Sequence, residues 1–210
     1  VMQKLIILGA SDLQVPTILK AKEKGIVTYV LDMNPQAIGV AYADHFENIS
    51  TIDTEKVIEF ANNVRPDGIM TAASDRPMKT VAAVCDAFGL PGITKEVAER
   101  ATNKVAMRLA LEKARVPIPK FSIIPNIGEY RIAVAVFPCR YIVKPADNSG
   151  SRGIFLVEKP EDSEIAYNYS MSNSSNGYIL VEEFIEGPEV SVETITYKGI
   201  TSVIAITDKI

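Results

Sequence analysis

The chain has 210 residues, 47% of them hydrophobic and 23% charged, with a net charge of −4. That length and apolar fraction are enough to bury one or two cores, and a small acidic excess without a long basic stripe argues against duplex nucleic acid as a partner. Two cysteines, Cys85 and Cys139, and the single histidine, His45, are too few for a zinc site. The cysteine flanks, AAVCDAF and VFPCRYI, read as core packing. His45 lies in the polar segment YADHFEN and reads as a surface residue of a turn region; a Ser-His-Asp or Cys-His mechanism would need it as the base. The apolar run from Leu5 to Ala10 is closed by Asp12. It falls short of the roughly 20 residues of a membrane span and the roughly seven of a signal segment, so the cytoplasm is the expected location and no membrane partner is expected.

In chain order, residues 2–9 (MQKLIILG) form an apolar run ending at Gly9. Residues 14–24 carry helical periodicity, with Val15, Ile18, Leu19 and Lys22 forming an apolar face with a charged edge before Gly25 ends the helix. A buried strand over Val27 to Leu31 closes at Asp32 and Asn34-Pro35. A helix over 54–64, a strand over 68–72 and a helix over 76–88 ending in Gly89 follow. Strands alternating with amphipathic helices predict a parallel sheet with right-handed crossovers. Residues 1–93 are therefore expected to form a Rossmann-like α/β domain.

After Pro91-Gly92 the character changes. Residues 95–114 read as helical with a break at Thr102-Asn103, where a new helix can be capped, and Val116-Pro117-Ile118-Pro119 cannot continue a helix. Strands are expected over 120–124, 141–144, 154–157, 178–183, 189–196 and 201–207, with a polar loop at 172–177 (SNSSNG). This second region reads as α+β with antiparallel strands, and the chain as a whole as α/β.

Three segments carry candidate chemistry. Gly9-Ala10-Ser11-Asp12 follows the first strand, and Asp32 ends the second. A dinucleotide fingerprint wants G-x-G-x-x-G with an acid about 20 residues on; the acid is present, but Ser11 stands where the second glycine should be. A tight strand-to-helix turn or a helix N-terminus receiving a substrate carboxylate are the other readings. Next, YIVKPADNSGSRG (141–153) delivers Lys144 from an apolar strand into a small, flexible loop whose backbone N–H groups can turn toward phosphate. A surface hairpin with a mobile tip explains that segment equally well. Finally, VEEFIEGPEVSVE (181–193) puts Glu182 and Glu183 at the end of a strand and Gly187-Pro188 at a turn. Glu189 opens the next strand, sharing a face with Ser191 and Glu193 by the period of two. These acids suit ribose hydroxyls or a solvated strand face. Ser74-Asp75 after the third strand suits a substrate cleft at the carboxyl ends of the strands or a helix cap.

Taken together, Asn103-Lys104 on the broken helix, KPADNSGSRG and EEFIEGPEVSVE, in this order at about 40-residue spacing, resemble the ATP-grasp superfamily, in the manner of the carbamoyl-phosphate synthase large chain and biotin carboxylase. The resemblance implies a preATP-grasp Rossmann-like domain over 1–93, linker helices over 94–118, an ATP-grasp small sub-domain over 119–182 and the start of its carboxyl-terminal sub-domain over 183–210. It implies that Lys104 and Lys144 contact the phosphates of ATP, that Ile142 lies against the adenine ring, and that the loop with Ser149, Gly150, Ser151 and Gly153 folds over the triphosphate. It further implies that Glu182, Glu183 and Ile185 belong to the hinge that reads adenine and that Glu189 holds the ribose. The activity implied is carboxylate ligation: ATP phosphorylates a small carboxylate or bicarbonate, and an amine or other nucleophile attacks the acyl phosphate. The cofactors implied are ATP and Mg2+, and a homodimer is compatible with the family.

Family members hold their metal with acids and an asparagine late in the chain, whereas this sequence stops at Asp208-Lys209-Ile210. The ligands of Mg2+ are therefore expected beyond Ile210, no catalytic or metal-binding residue is assigned within the chain, the ATP-grasp domain is read as incomplete, and this chain alone is expected to be inactive. Two other readings stand beside the ligase: a non-catalytic nucleotide-binding or regulatory module, and a nicotinamide-dependent oxidoreductase, which lacks its glycines here.

Overall fold

In the computed structural model, residues 2–138, 140–148 and 150–209 are described; the expectation for Cys139 lies outside them. Among the described residues the strands form three sheets. The first is parallel, in the order β3-β2-β1-β4, from β1 (Lys4–Leu8), β2 (Val27–Leu31), β3 (His45–Glu47) and β4 (Gly68–Thr71). Its helices are α1 (Val15–Glu23), α2 (Thr54–Val64) and α3 (Met78–Phe88). The near-continuous apolar run of β1 follows from burial on both faces. Ile6 and Leu8 pack with Val57 and Ala61 of α2 and with Val81, Val84 and Cys85 of α3, while Ile7 packs with Val30 and with Ile18 of α1 on the other side.

Two expectations change in this half. On α1 the buried residues are Ile18 and Ala21, and Leu19 is 47% exposed, because the helix turns Leu19 about 100° away from Ile18. His45 is exposed, as read, but it stands in the short edge strand β3 rather than in a turn, with its ring stacked 4.5 Å from that of Tyr29.

From Lys95 onward the elements are α4 (Lys95–Thr102), α5 (Lys104–Lys113), β5 (Phe121–Ile124), α6 (Ile127–Val134), β6 (Tyr141–Pro145), β7 (Phe155–Val157), α7 (Ser163–Ser172), β8 (Ile179–Glu183), β9 (Val190–Tyr197) and β10 (Ile200–Asp208). The second sheet is antiparallel, in the order β5-β8-β6-β7. One face carries Ile124, Tyr141, Val143, Val157, Ile179 and Val181 into a core closed by Tyr130 of α6 and Ala166 of α7. The buried Tyr130 hydroxyl donates to the Ser163 carbonyl at 2.8 Å; burial pushes its phenol well above the usual tyrosine range, and the Ser163 hydroxyl, which donates to it at 3.1 Å, pulls the other way. The third sheet is the hairpin β9–β10, with an irregularity between Val203 and Ala205. Among the described residues, no helix is long and apolar enough to cross a membrane.

Candidate functional site

The antiparallel sheet turns its second face toward α5. Alternation along β6 buries Tyr141 and Val143 in the core and leaves Ile142 and Lys144 half-buried on the far face. The register sets Ile142 opposite Glu182, so Ile142, Lys144 and Glu182 share that face. Helix α5 begins at Lys104 because the Asn103 side chain accepts from the backbone N–H groups of Val105 and Ala106. Arg108 follows one turn later on the same side of the helix.

These residues form one charged network. Arg108 Nε donates to Glu182 Oε1 at 2.7 Å and Arg108 Nη2 to Oε2 at 3.0 Å, while Lys144 Nζ pairs with Oε2 at 2.6 Å. The Glu182 side chain is 4% exposed. Burial pushes its carboxyl up, but Arg108 and Lys144 together outweigh burial and hold it below the usual carboxylate range. Lys104 joins from the helix start: its backbone N–H donates to the Ala146 carbonyl at 2.7 Å and its ammonium to the Asn148 carbonyl. Burial first, then the nearby charge of Lys144, pushes the Lys104 ammonium below the usual lysine range, against the pull of Asp147, Glu182 and Asp75.

The loop after β6 has left-handed backbone at Gly150 (φ +66°), Ser151 (φ +58°) and Gly153 (φ +79°). Gly153 anchors its far end: its carbonyl accepts from the buried Ser170 hydroxyl at 2.7 Å, and a Cβ there would lie 2.6 Å from Asn173 Cβ and 2.8 Å from Pro145 Cγ. Gly150 and Ser151 are exposed; Ser149 lies outside the described residues.

A cavity of about 410 Å³ lies beside this loop, lined among others by Asp75, Arg76, Lys79, Lys104, Asp147 and Gly150. A second, of about 310 Å³, sits at the carboxyl ends of β1, β2 and β4 and includes Gly9, Ser11, Asp32 and Ser74. Ile52 and Arg76 line both. Ser74 and Asp75 do not cap α3, whose N-cap is Pro77 without a side-chain cap bond, so the cleft reading is the one their surroundings favour.

At the Gly9 turn, Ser11 N and Oγ both donate to Gln14 Oε1, at 2.9 and 2.6 Å. Asp32 accepts from the N–H groups of Ala10 and Asn34, each at 2.8 Å. These groups close the turn on itself, which favours the tight-turn reading over a dinucleotide or anion site.

The remaining candidates lie outside the network. Glu183 Oε2 accepts from the backbone N–H of Lys120 at 3.3 Å. Ile185 is 63% exposed. Glu189 precedes β9 rather than opening it, and its carboxylate pairs with Lys209 at 2.8 Å. Between them, Phe184 is covered by the Arg140 guanidinium at 4.5 Å from the ring centroid, and Arg140 also pairs with Glu158 at 3.2 Å and with Glu186. Sequence reasoning missed Arg108 and Arg140. Arg108 carried a usable signal, its spacing of four from Lys104 on one helix; Arg140 carried none, since its partners come from the segments that follow β7 and β8. Among the described residues, no group of three or more His, Cys, Asp or Glu is placed to hold a metal ion.

A family model described as "ATP-grasp domain" matches residues 101–210. The formate-dependent phosphoribosylglycinamide formyltransferase of Mycolicibacterium gilvum is 25% identical over 209 residues, covering 93% of this chain and 50% of that protein. The crystal structure of phosphoribosylglycinamide synthetase from Anaerococcus prevotii superposes with a TM-score of 0.73 at 27% identity, covering 99% of this chain and 51% of the other. The biotin carboxylase domain of the Hydrogenobacter thermophilus 2-oxoglutarate carboxylase, solved with MgADP, ADP and bicarbonate, shares the fold. Its TM-score is 0.80 at 22% identity over 98% of this chain and 50% of that one. The chain thus spans about half the length of these relatives.

Proposed function

The chain belongs to the ATP-grasp family, and on that premise we propose that it is the ATP-binding portion of an ATP-dependent carboxylate ligase. The carrying observation is the face of the antiparallel sheet where Arg108 and Lys144 both pair with the buried carboxylate of Glu182, with Lys104 nearby at the start of α5. Triphosphate fits such a surface, because two cations share the single carboxylate of Glu182, the half-buried Ile142 offers an apolar platform beside them, and the Gly150-Ser151 backbone is exposed, with open space beside Gly150.

In this reading Lys104 and Lys144 hold the phosphates, each charge-assisted bond contributing about 1.5–3 kcal/mol. Ile142 meets the adenine ring, Glu182, Glu183 and Ile185 belong to the adenine-reading hinge, and Glu189 exchanges Lys209 for the ribose hydroxyls. The loop carrying Ser149, Gly150, Ser151 and Gly153 closes over the phosphates and excludes water. ATP supplies the phosphoryl group and Mg2+ neutralises phosphate charge; no residue of this chain is assigned to the metal. A small carboxylate or bicarbonate, placed in the cavities that meet at Arg76, receives the phosphoryl group, and the acyl phosphate is open to attack by an amine. Residues 1–93 serve as the preATP-grasp domain, 94–118 as linker helices, 119–182 as the small sub-domain and 183–210 as the start of the carboxyl-terminal sub-domain.

Thermal unfolding tests the nucleotide reading. MgATP at a hundred times its Kd should stabilise the protein by about 2.7 kcal/mol, NAD should not, and Lys144→Ala should abolish the MgATP effect. A folded protein whose midpoint MgATP leaves unmoved would sink the proposal.

A further inference from the structure

Resting on that nucleotide-binding reading, we infer that Arg108 is a positioning residue: its forked grip on Glu182 keeps this carboxylate from neutralising Lys144 and leaves the Lys144 ammonium available to phosphate. Glu182 has two oxygens to share. Arg108 takes Oε1 through Nε at 2.7 Å and reaches Oε2 through Nη2 at 3.0 Å. Lys144 is left with a contact to Oε2 at 2.6 Å, which uses one of the three donors of an ammonium. The guanidinium fork matches a carboxylate in its own plane, so it fixes the rotamer of Glu182 as well as its charge.

The charge count points the same way. Two cations face one carboxylate, so the trio carries a net positive charge toward the sheet face. Without Arg108, the buried Glu182 would have Lys144 as its ion-pair partner, and the pair would be neutral. A neutral pair attracts phosphate far less than a cation held beside an already satisfied acid. Helix α5 also carries Lys104 at its first turn, so one element sets both the phosphate-facing lysine and the anchor of the other.

The test is calorimetric titration of the protein with MgADP and with adenosine, which lacks phosphate, on wild type, Arg108→Met and the double variant Arg108→Met/Glu182→Gln. Arg108→Met should weaken MgADP by at least about tenfold, the worth of one charge-assisted bond, while adenosine changes by less than about twofold. The double variant should restore the ratio of MgADP to adenosine affinity, because a neutral glutamine cannot neutralise Lys144, whereas any loss at the adenine-reading hinge falls on both ligands alike; a merely structural role for Arg108 predicts no such rescue. Unchanged MgADP affinity in Arg108→Met, equal losses for both ligands, or failure of the rescue would each overturn the inference while leaving the nucleotide site standing. Failure of wild type to bind MgADP would overturn both. Should Arg108→Met not fold, Arg108→Lys, which loses the fork, is read instead: a loss confined to MgADP supports the inference, and no loss or an equal loss overturns it.

Discussion

Glu182 is the residue on which the charged face turns, and its buried carboxylate is stable only as an ion held by two partners. Its folded-state pKa lies below the usual carboxylate range: burial raises it, and Arg108 and Lys144 lower it further than burial lifts it. The stabilisation it contributes is therefore present above the unfolded value of about 4.3 and is lost as pH falls through the depressed folded value. Removing one partner of a buried ion pair costs about 3–5 kcal/mol. Glu182→Gln should accordingly destabilise the protein by about that much at neutral pH, with the difference from wild type shrinking as pH drops below about 4.3. Urea unfolding of both proteins across pH checks it; a difference independent of pH would show that the charge of Glu182 contributes nothing to the fold.

Among the elements, the loop between β6 and β7 combines an anchored end with an open one. Gly150 and Gly153 both have left-handed backbone, but a Cβ at Gly150 meets nothing within 4 Å, whereas one at Gly153 collides with Asn173 and Pro145. Gly150→Ala should therefore cost only the conformational penalty, about 1–2 kcal/mol. Gly153→Ala should cost about 1–3 kcal/mol more, from overpacking against the α7 end and β6. Differential scanning calorimetry of the two variants decides this, and equal midpoints would remove Gly153 as the anchor. The same loop meets α5 through the Lys104–Ala146 and Lys104–Asn148 hydrogen bonds, so its position depends on the Asn103 cap that starts that helix.

At the scale of the molecule, stability is unevenly distributed. The parallel sheet and the four-stranded antiparallel sheet are each packed against helices. The hairpin β9–β10 is exposed along nearly its whole length, with Tyr197 70% and Ile200 73% exposed. A two-stranded ribbon without a packed face is marginal by itself, and local opening follows the density of buried contacts. In the 210-residue chain, amide exchange should be faster in the hairpin than in β1, β6 or β8, by about a hundredfold for each 2.7 kcal/mol of difference in opening free energy. Equal protection would mean that the hairpin is stabilised by more than its own ladder.

What the sequence determined by itself was local: the βα alternation of the first half, the break at Asn103, the antiparallel strands of the second and the lysine-to-loop segment at Lys144. Each of these is written in apolar periodicity, capping chemistry or glycine placement, which act over a few residues. The tertiary structure decided the rest. It made HFE an edge strand, because pairing with β2 supplies hydrogen bonds that three mostly polar residues do not announce. It produced α6 and α7 from segments of weak amphipathic pattern, because Tyr130 and Ala166 found a sheet face to cover. It spent Asp32 and Ser11 on closing their own turn. It also brought Arg108 onto Glu182, 74 positions along the chain, a meeting that no local pattern encodes, since only the packing of α5 across the sheet puts those charges within reach of each other.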